Sequence, residues 1–301
     1  MTILKRILLT LSGLLLGFLG SALVAILINP EPIIVFRMGV GIIIFLAGVL
    51  ISILIAVAQW GLNAGRENAF LQADERRRSF IRRLDHELKN PLTGLRAALA
   101  NLSESASPSD REKAAANARR NVERLTRLLA DLRKLSDLDE RPLERLPVYV
   151  PNILEEIVEA ASSLPAYQGR TVSLLIANVP PLPLVTGDRD LLGLAFYNLV
   201  ENALKFSGPG KEVEVRARED GRSVIVEVAD GGSGIPAEDL PHLFEELYRG
   251  ANARGVEGSG LGLALAARIV ELHGGSLKVT SRQGDRQGTV FSIHLPAGRS
   301  G

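Results

Sequence analysis

An imidazole and a carboxylate stand side by side at His86 and Glu87. Leu84, Leu88, Leu92, Leu95 and Leu99, with Phe80 before them, recur at steps of three and four, the period of an amphipathic helix. His86 is two residues from both Leu84 and Leu88, so it points roughly 200° away from them on a helix of about 3.6 residues per turn. The imidazole therefore stands on the wet face of a packed helix, placed to react with something that docks from outside. Asn90 is one turn further on and shares that face, where a carboxamide can orient a water. Because it precedes Pro91, Asn90 also has a plainer reading as a residue at a helix kink.

A second set of groups lies downstream. Asn198, Asn202 and Lys205 recur at i, i+4 and i+7 beside an apolar stripe of Leu192, Phe196, Leu199, Ala203 and Phe206. Two carboxamides and an ammonium on one helix face suit a hydrated Mg²⁺ with phosphates. Amide oxygens can ligate the hard cation while the lysine meets the anion. Asp230 follows a strand-like run ending at Val228 and opens Asp230-Gly231-Gly232-Ser233-Gly234-Ile235. A carboxylate at a strand end can accept a hydrogen bond from an exocyclic amine, and Gly232 and Gly234 let a ligand approach the backbone. Gly258-Ser259-Gly260-Leu261-Gly262 then opens a helix, whose first amides attract phosphate. Its spacing is Gly-x-Gly-x-Gly, not the dinucleotide Gly-x-Gly-x-x-Gly. Taken singly, each feature is also what a solvated stripe, a turn or a helix start looks like.

Periodicity indicates the elements that must hold these groups. A charged, helix-like pattern begins near Gly61 and runs into the 80–102 stripe. Ser103-Glu104-Ser105-Ala106-Ser107-Pro108 interrupts it, and Ser109 with Glu112 forms a capping box that restarts a helix. There Ala118, Val122, Leu125, Leu129, Leu132 and Leu135 alternate steps of four and three, a coiled-coil-like seam. The two helices make an antiparallel hairpin that alone buries too little. Two copies are expected to pair into a four-helix bundle; the alternative is a bundle formed with the C-terminal part of the same chain. Beyond a linker at 139–147 the pattern predicts helices over 152–163, 188–206 and 261–272. It predicts strands over 172–176, 212–218, 224–228, 277–281 and 289–295, with a turn at Asp220-Gly221. Helices on one face of a mixed sheet read as a two-layer α/β sandwich.

Composition removes several chemistries. The chain has 301 residues, with 35 Lys and Arg against 34 acidic residues, which gives no electrostatic case for nucleic-acid binding. It has no cysteine, so disulfides and thiolate chemistry are excluded, and four scattered histidines make a zinc site a poor reading. Two uncharged stretches, 7–28 and 38–58, are each long enough to cross a hydrocarbon core of about 30 Å as a helix. Lys5 and Arg6 precede the first, Arg66 and Arg76-Arg77-Arg78 follow the second, and only Arg37 lies between. The positive-inside bias then predicts a multi-pass protein of the cell membrane with both termini cytoplasmic. Trp60 would sit at the inner interface, and Gly13-Leu14-Leu15-Leu16-Gly17 is a spacing that can bring membrane helices close. The short outer loop is too small to fold as a ligand-binding domain. The expected signal therefore acts in or at the lipid bilayer, as lipid state, an amphiphile or a membrane-protein partner.

The string His86-Glu87-Leu88-Lys89-Asn90-Pro91-Leu92-Thr93 resembles the H box of sensor histidine kinases. Asn198-Leu199-Val200-Glu201-Asn202-Ala203-Leu204-Lys205-Phe206 resembles their N box. The Asp230 and Gly258 segments resemble the G1 and G2 boxes. Phe244-Glu245-Glu246-Leu247-Tyr248-Arg249 resembles the F box more loosely, since Glu246-Leu247 replaces the usual basic–aromatic pair. The resemblance runs from about Arg76 to the C-terminus, with the boxes in order. After the two transmembrane helices (1–60) and the helical connector (61–79) that hydropathy and charge patterning predict, it implies a HisKA-type dimerisation and phosphotransfer hairpin (80–138), a linker (139–147) and a Bergerat/GHKL-type ATP-binding domain (148–301). It further implies that His86 accepts a phosphoryl group from ATP through Nε2, with Glu87 taking the imidazole proton. By the same resemblance Asn198 ligates Mg²⁺, and Asn202 and Lys205 face the phosphates. Asp230 binds the adenine amino group within the Gly232–Gly234 turn. Gly258, Gly260 and Gly262 approach the nucleotide, and Arg249 approaches the γ-phosphate. The implied partners are a second copy of the chain and a cytoplasmic response regulator, with Asn90 at the position phosphatase-competent members use. Two rivals remain at this point. A chaperone- or topoisomerase-type ATPase would share the nucleotide fold without needing His86 on a hairpin. A non-enzymatic scaffold would be expected to lack Asn198, Asp230 or the glycines.

Overall fold

The computed structural model describes residues 34–104, 107–140, 142–177, 181–253, 255–284 and 287–298, together with Leu16, Phe18, Leu19, Gly20 and Leu23. It divides into two compact units, Met1–Ser79 and Phe80–Gly301. In the first, helix α1 (Ile34–Glu104) begins with apolar side chains open to the surroundings, among them Ile43, Leu46, Leu50, Leu54 and Val57. Side chains are described without a gap only from Phe45 to Gln59, and among the described residues no helix is long and apolar enough to cross a membrane. Most of the 7–28 stretch, with Lys5, Arg6, the Gly13/Gly17 spacing and the Trp60 and Arg66 side chains, lies outside the described residues.

In the second unit α1 continues unbroken past Pro91, whose ring is buried. Asn90 itself is helical there. Helix α2 (Pro108–Glu140) starts one residue before Ser109, so the expected cap instead lies inside the first turn. A proline there lacks only an N–H that has no intrahelical acceptor. Strand β1 (Leu146–Val148) pairs antiparallel with β3 (Val185–Gly187), so Leu146 and Pro147, read as linker, belong to a small sheet.

The remaining strands are β2 (Thr171–Ile176), β4 (Glu212–Asp220), β5 (Ser223–Asp230), β6 (Ser276–Arg282) and β7 (Gly288–Pro296). They form one sheet in the order β2-β4-β5-β7-β6, parallel only between β2 and β4. Alternation sets its two faces. Val213, Val215 and Ala217 of β4 and Phe291, Ile293 and Leu295 of β7 turn inward, while Glu214 and Arg216 of β4 and Glu227 of β5 form ion pairs on the other side. Three helices cover the apolar face: α3 (Val150–Ser162), α4 (Arg189–Phe206) and α5 (Gly262–Leu272). One core joins Leu154 of α3, Phe196 and Leu199 of α4, and Leu265 and Ile269 of α5 to the strands. Asp188 caps α4, its carboxylate accepting from the amides of Asp190 and Leu191 at 3.1 Å, which fixes where the Asn198 stripe points. The two-layer sandwich is thus as expected from the periodicity.

Phe196 is fully buried between α4 and its neighbours. Phe196→Ala is expected to cost about 3–5 kcal/mol in denaturant unfolding of the C-terminal region, through lost burial and the cavity left behind. A loss below about 1 kcal/mol would mean that this layer is not close-packed.

Candidate functional site

A cavity of about 670 Å³ opens at one end of the sandwich. It is lined by Asn198, Asn202 and Lys205 of α4, Asp230 at the end of β5, Gly234, and Arg249, Gly258, Gly260 and Gly262 of the loop leading into α5. Glu87 of α1 and a row of α2 side chains close its far wall. Of the residues singled out in the sequence, Gly232, His86 and Asn90 do not line it.

The sheet end positions the first group. Asp230 accepts a hydrogen bond from the Gly232 amide at 2.8 Å, so Gly232 shapes the carboxylate. Burial pushes the Asp230 carboxyl above the ordinary aspartate range, against the lowering effect of the Gly232 and Thr289 amides. Gly234 has φ 73°, and a Cβ there would lie 2.0 Å from the Arg282 carbonyl oxygen, so the turn admits no side chain.

Helix α4 positions the second group. The Asn198 amide nitrogen donates to the Leu194 carbonyl at 2.7 Å, which leaves the carboxamide oxygen as the atom available to a ligand. That is the donor a hard cation takes, with phosphates and waters filling the rest of its shell. A Cβ on Gly262 would come within 2.7 Å of this oxygen, so a larger residue there would require the Asn198 carboxamide to shift. Lys205 is paired with Glu201 at 2.9 Å, and both line the cavity. The residue reading missed Glu201, although it lies one turn before the lysine.

The described residues of the long 235–257 segment, all but Arg254, pack against one another, and we call this segment the lid. Buried Asp239 ties it together, accepting from the Tyr248 hydroxyl at 2.6 Å and the Ala251 amide at 3.0 Å. That hydrogen bond, with burial, pushes the Tyr248 phenol up to about 12. Arg249 lines the cavity, but its guanidinium donates to the carbonyls of Gly258, Ala253 and Val256. Through these bonds it holds the lid's shape. Leu247, which departs from the usual F-box pattern, inserts among Leu128 and Leu261, with Phe80, Leu84 and Leu88 packed alongside. Arg83 adds a salt bridge to Glu245 at 2.5 Å and lies 5.2 Å from the Tyr248 ring centre. The lid therefore rests on the hairpin as a loop and not as a further bundle helix, while Leu92, Leu99, Val122 and Leu129 remain exposed.

At the helix face itself, Asn90 Nδ2 lies 3.3 Å from His86 Nδ1, and both side chains are exposed. Glu87 pairs with Arg124 of α2 at 2.7 Å. Arg124 belongs to a polar row, Asn117, Arg120, Asn121, Arg124 and Arg127, that also lines the cavity. Its steps of three and four were visible in the sequence, beside the apolar seam that drew attention instead.

Comparison with known proteins follows the same division. Residues 76–141 match the His Kinase A (phospho-acceptor) domain, and residues 187–299 match the Histidine kinase-, DNA gyrase B-, and HSP90-like ATPase. The sensor-like histidine kinase SenX3 of Mycobacterium tuberculosis is 34% identical over 239 residues, covering 77% of this chain and 56% of that protein. The sensory histidine kinase/phosphatase NtrB of Rhizobium leguminosarum is 34% identical over 241 residues, covering 72% and 57%. The solved structure of full-length ShkA in complex with AMPPNP is similar with a TM-score of 0.52 and 26% identity, over 71% of this chain and 45% of that one. The chain spans less than two thirds of the length of these curated relatives.

The raised Asp230 carboxyl has a consequence for stability. Its contribution is fully present below the unfolded value of 3.8 and is lost as pH rises through the higher folded value, because the buried charge then costs free energy. Asp230→Asn keeps an acceptor for the Gly232 amide. Without nucleotide it is expected to melt above wild type at neutral pH, with the gap closing as pH falls toward the ordinary aspartate value. A gap that stays constant across that range would rule out burial of the charge as its cause.

Proposed function

This chain belongs to the two-component sensor histidine kinases, and from that premise we propose that it transfers the γ-phosphoryl group of ATP to His86 and then to an aspartate of a response regulator. The observation that carries the reading is the single cavity that unites the Asn198, Asp230 and Gly258–Gly262 groups with Glu87, next in sequence to His86. Asp230 would accept from the adenine amino group. Asn198 would hold Mg²⁺ through its oxygen, with Asn202 and Lys205 on the phosphates. When bound, the cation neutralises charge on the β- and γ-oxygens. His86 Nε2 forms the bond to phosphorus as the bond to the ADP oxygen breaks, and the Nδ1 proton passes to Glu87. The protein's contribution is positioning and charge stabilisation.

Three further parts belong to this proposal. The chain acts as a homodimer: the exposed Leu92, Leu99, Val122 and Leu129 side chains support a second hairpin completing a four-helix bundle. It is anchored in the cell membrane by 7–28 and 38–58, with both termini cytoplasmic; the uncharged sequence and the open apolar side chains of α1 support this. The stimulus then acts in or at the bilayer, as lipid state, an amphiphile or a membrane-protein partner. Finally, the chain dephosphorylates its regulator using Asn90, whose place one turn beyond His86 suits a water aimed at an aspartyl phosphate. The kinase/phosphatase name of the relative NtrB supports that reading.

Full-length protein in lipid nanodiscs, incubated with γ-³²P ATP and Mg²⁺, is expected to gain acid-labile, base-stable label. His86→Gln should retain nucleotide binding and take up none, and substantial label on that variant would sink the assignment. Phosphate release without label would point instead to an ATPase of the same fold.

Asn90→Ala is expected to keep a measurable rate of His86 labelling while phosphorylated regulator persists longer. Equal loss of both activities would mean that Asn90 serves the shape of the site and not hydrolysis.

A further inference from the structure

The proposed reaction leaves one pairing unexplained: Glu87, the acid beside His86, is engaged by Arg124. Glu87 is 13% exposed and Arg124 40%, so the pair is shielded enough to persist yet open on the cavity side. Both residues line the same cavity as Asn198 and Gly262. The neighbouring cations differ. Arg127 pairs with Glu257 at 3.1 Å with both groups largely exposed, and Arg120 bonds to Asn117 on its own helix. Arg124 alone in this row is engaged with the acid next to His86.

The geometry points to Arg124 as a γ-phosphate ligand that exchanges one anion for another: Glu87 in the resting protein, the terminal phosphate once ATP is bound. This rests on the reading of His86 as phosphoacceptor. A guanidinium is a planar fork that meets a carboxylate or a phosphate equally well in geometry, and a triphosphate terminus carries more charge than one carboxylate. ADP lacks that terminus, so it leaves the Glu87 pair intact. When Arg124 moves to the phosphate, Glu87 stays on a part-buried wall without its cation and is free to accept the Nδ1 proton of the adjacent His86. The transfer then balances. Nε2–P forms, the bond from phosphorus to the ADP oxygen breaks, the Nδ1 proton goes to Glu87, and Arg124 stabilises the oxygens of the moving group. The arrival of the correct nucleotide thereby releases the base.

The test uses the full-length protein in nanodiscs with Mg²⁺, and a non-hydrolysable ATP analogue and ADP as separate calorimetric ligands. Arg124→Gln is expected to bind the analogue about tenfold more weakly, the scale of one lost charged hydrogen bond, with ADP affinity unchanged. It should also label His86 more slowly. Arg124→Lys should recover part of the analogue affinity. Glu87→Gln removes the competing anion and should tighten the analogue without altering ADP. A merely structural Arg124 would weaken both nucleotides together or neither, and either result overturns the proposal. If wild-type His86 takes no label, the phosphoacceptor reading fails, while the analogue/ADP split still decides the phosphate contact.

Discussion

The start of α5 lies against the middle of α4 so closely that the carboxamide of Asn198 occupies the space a Gly262 side chain would need. The rest of the site depends on that approach. It brings the α5 amides and the α4 polar stripe to the same wall of one cavity, and it works only if both helices are held rigidly on the sheet. The core does this: Phe196, Leu199, Leu265 and Ile269 are fully or nearly fully buried on a face of alternating strand residues. A close-packed interior deforms little, so the spacing between the two helices is maintained. The polar groups are then set by short local bonds, Asn198 to Leu194 and Asp230 to Gly232, rather than by long-range contacts.

The lid is held in a different way. Leu247 has φ 59°, the one non-glycine left-handed residue among the described residues. That conformation costs about 1–2 kcal/mol, while burying a leucine contributes roughly 1.5–3 kcal/mol. The two nearly offset one another, so the seat of Leu247 between the hairpin leucines is weakly favourable. Arg83 adds a salt bridge to a partly exposed Glu245, of the kind that contributes little in water. Asp239 and Arg249, by contrast, bind the lid internally through several bonds each. The lid is thus bound within itself through Asp239 and Arg249, while it meets the helices through buried Leu247 and through polar contacts nearer the surface, Arg83 to Glu245 and the Glu246 carbonyl, and Arg127 to Glu257.

This contrast also explains what could be read from the sequence. The sandwich was legible because each strand alternates and each helix carries one stripe, and both signals are local. Asn198, Asn202, Lys205, Asp230 and the glycines were legible because each stands at an element end or on one helix face. Leu247, Arg83 and Arg124 were not, because their partners lie far along the chain; Arg83 and Glu245 are 162 positions apart. The apolar stripe from Phe80 to Leu99 was seen correctly as a packing face, but its division between the lid and an open face depends on tertiary placement. Leu146 and Pro147 were read as linker because a three-residue strand has too little periodicity to show itself. The Ser109 cap failed for a related reason: a proline at Pro108 is tolerated in the first turn, so the helix starts earlier than the capping signal alone suggests.

The imidazole itself carries the last constraint. Asn90 Nδ2 lies 3.3 Å from His86 Nδ1, and because a carboxamide can present either its nitrogen or its oxygen, either tautomer of the ring can make this contact. A protonated Nε2 has no lone pair to offer phosphorus. If His86 attacks through Nε2, the proton must first sit on Nδ1, and Nδ1 must face an acceptor. Asn90 can supply one by presenting its oxygen, but it cannot take the proton away. Glu87 can do both, yet it is engaged with Arg124. The arrangement therefore holds the carboxylate in another pairing, and a movement of Glu87 toward His86 would supply the acceptor that the reactive tautomer needs. One ion pair, placed where a phosphate can compete for its cation, is enough to couple the state of the nucleotide cavity to the reactivity of a side chain outside it.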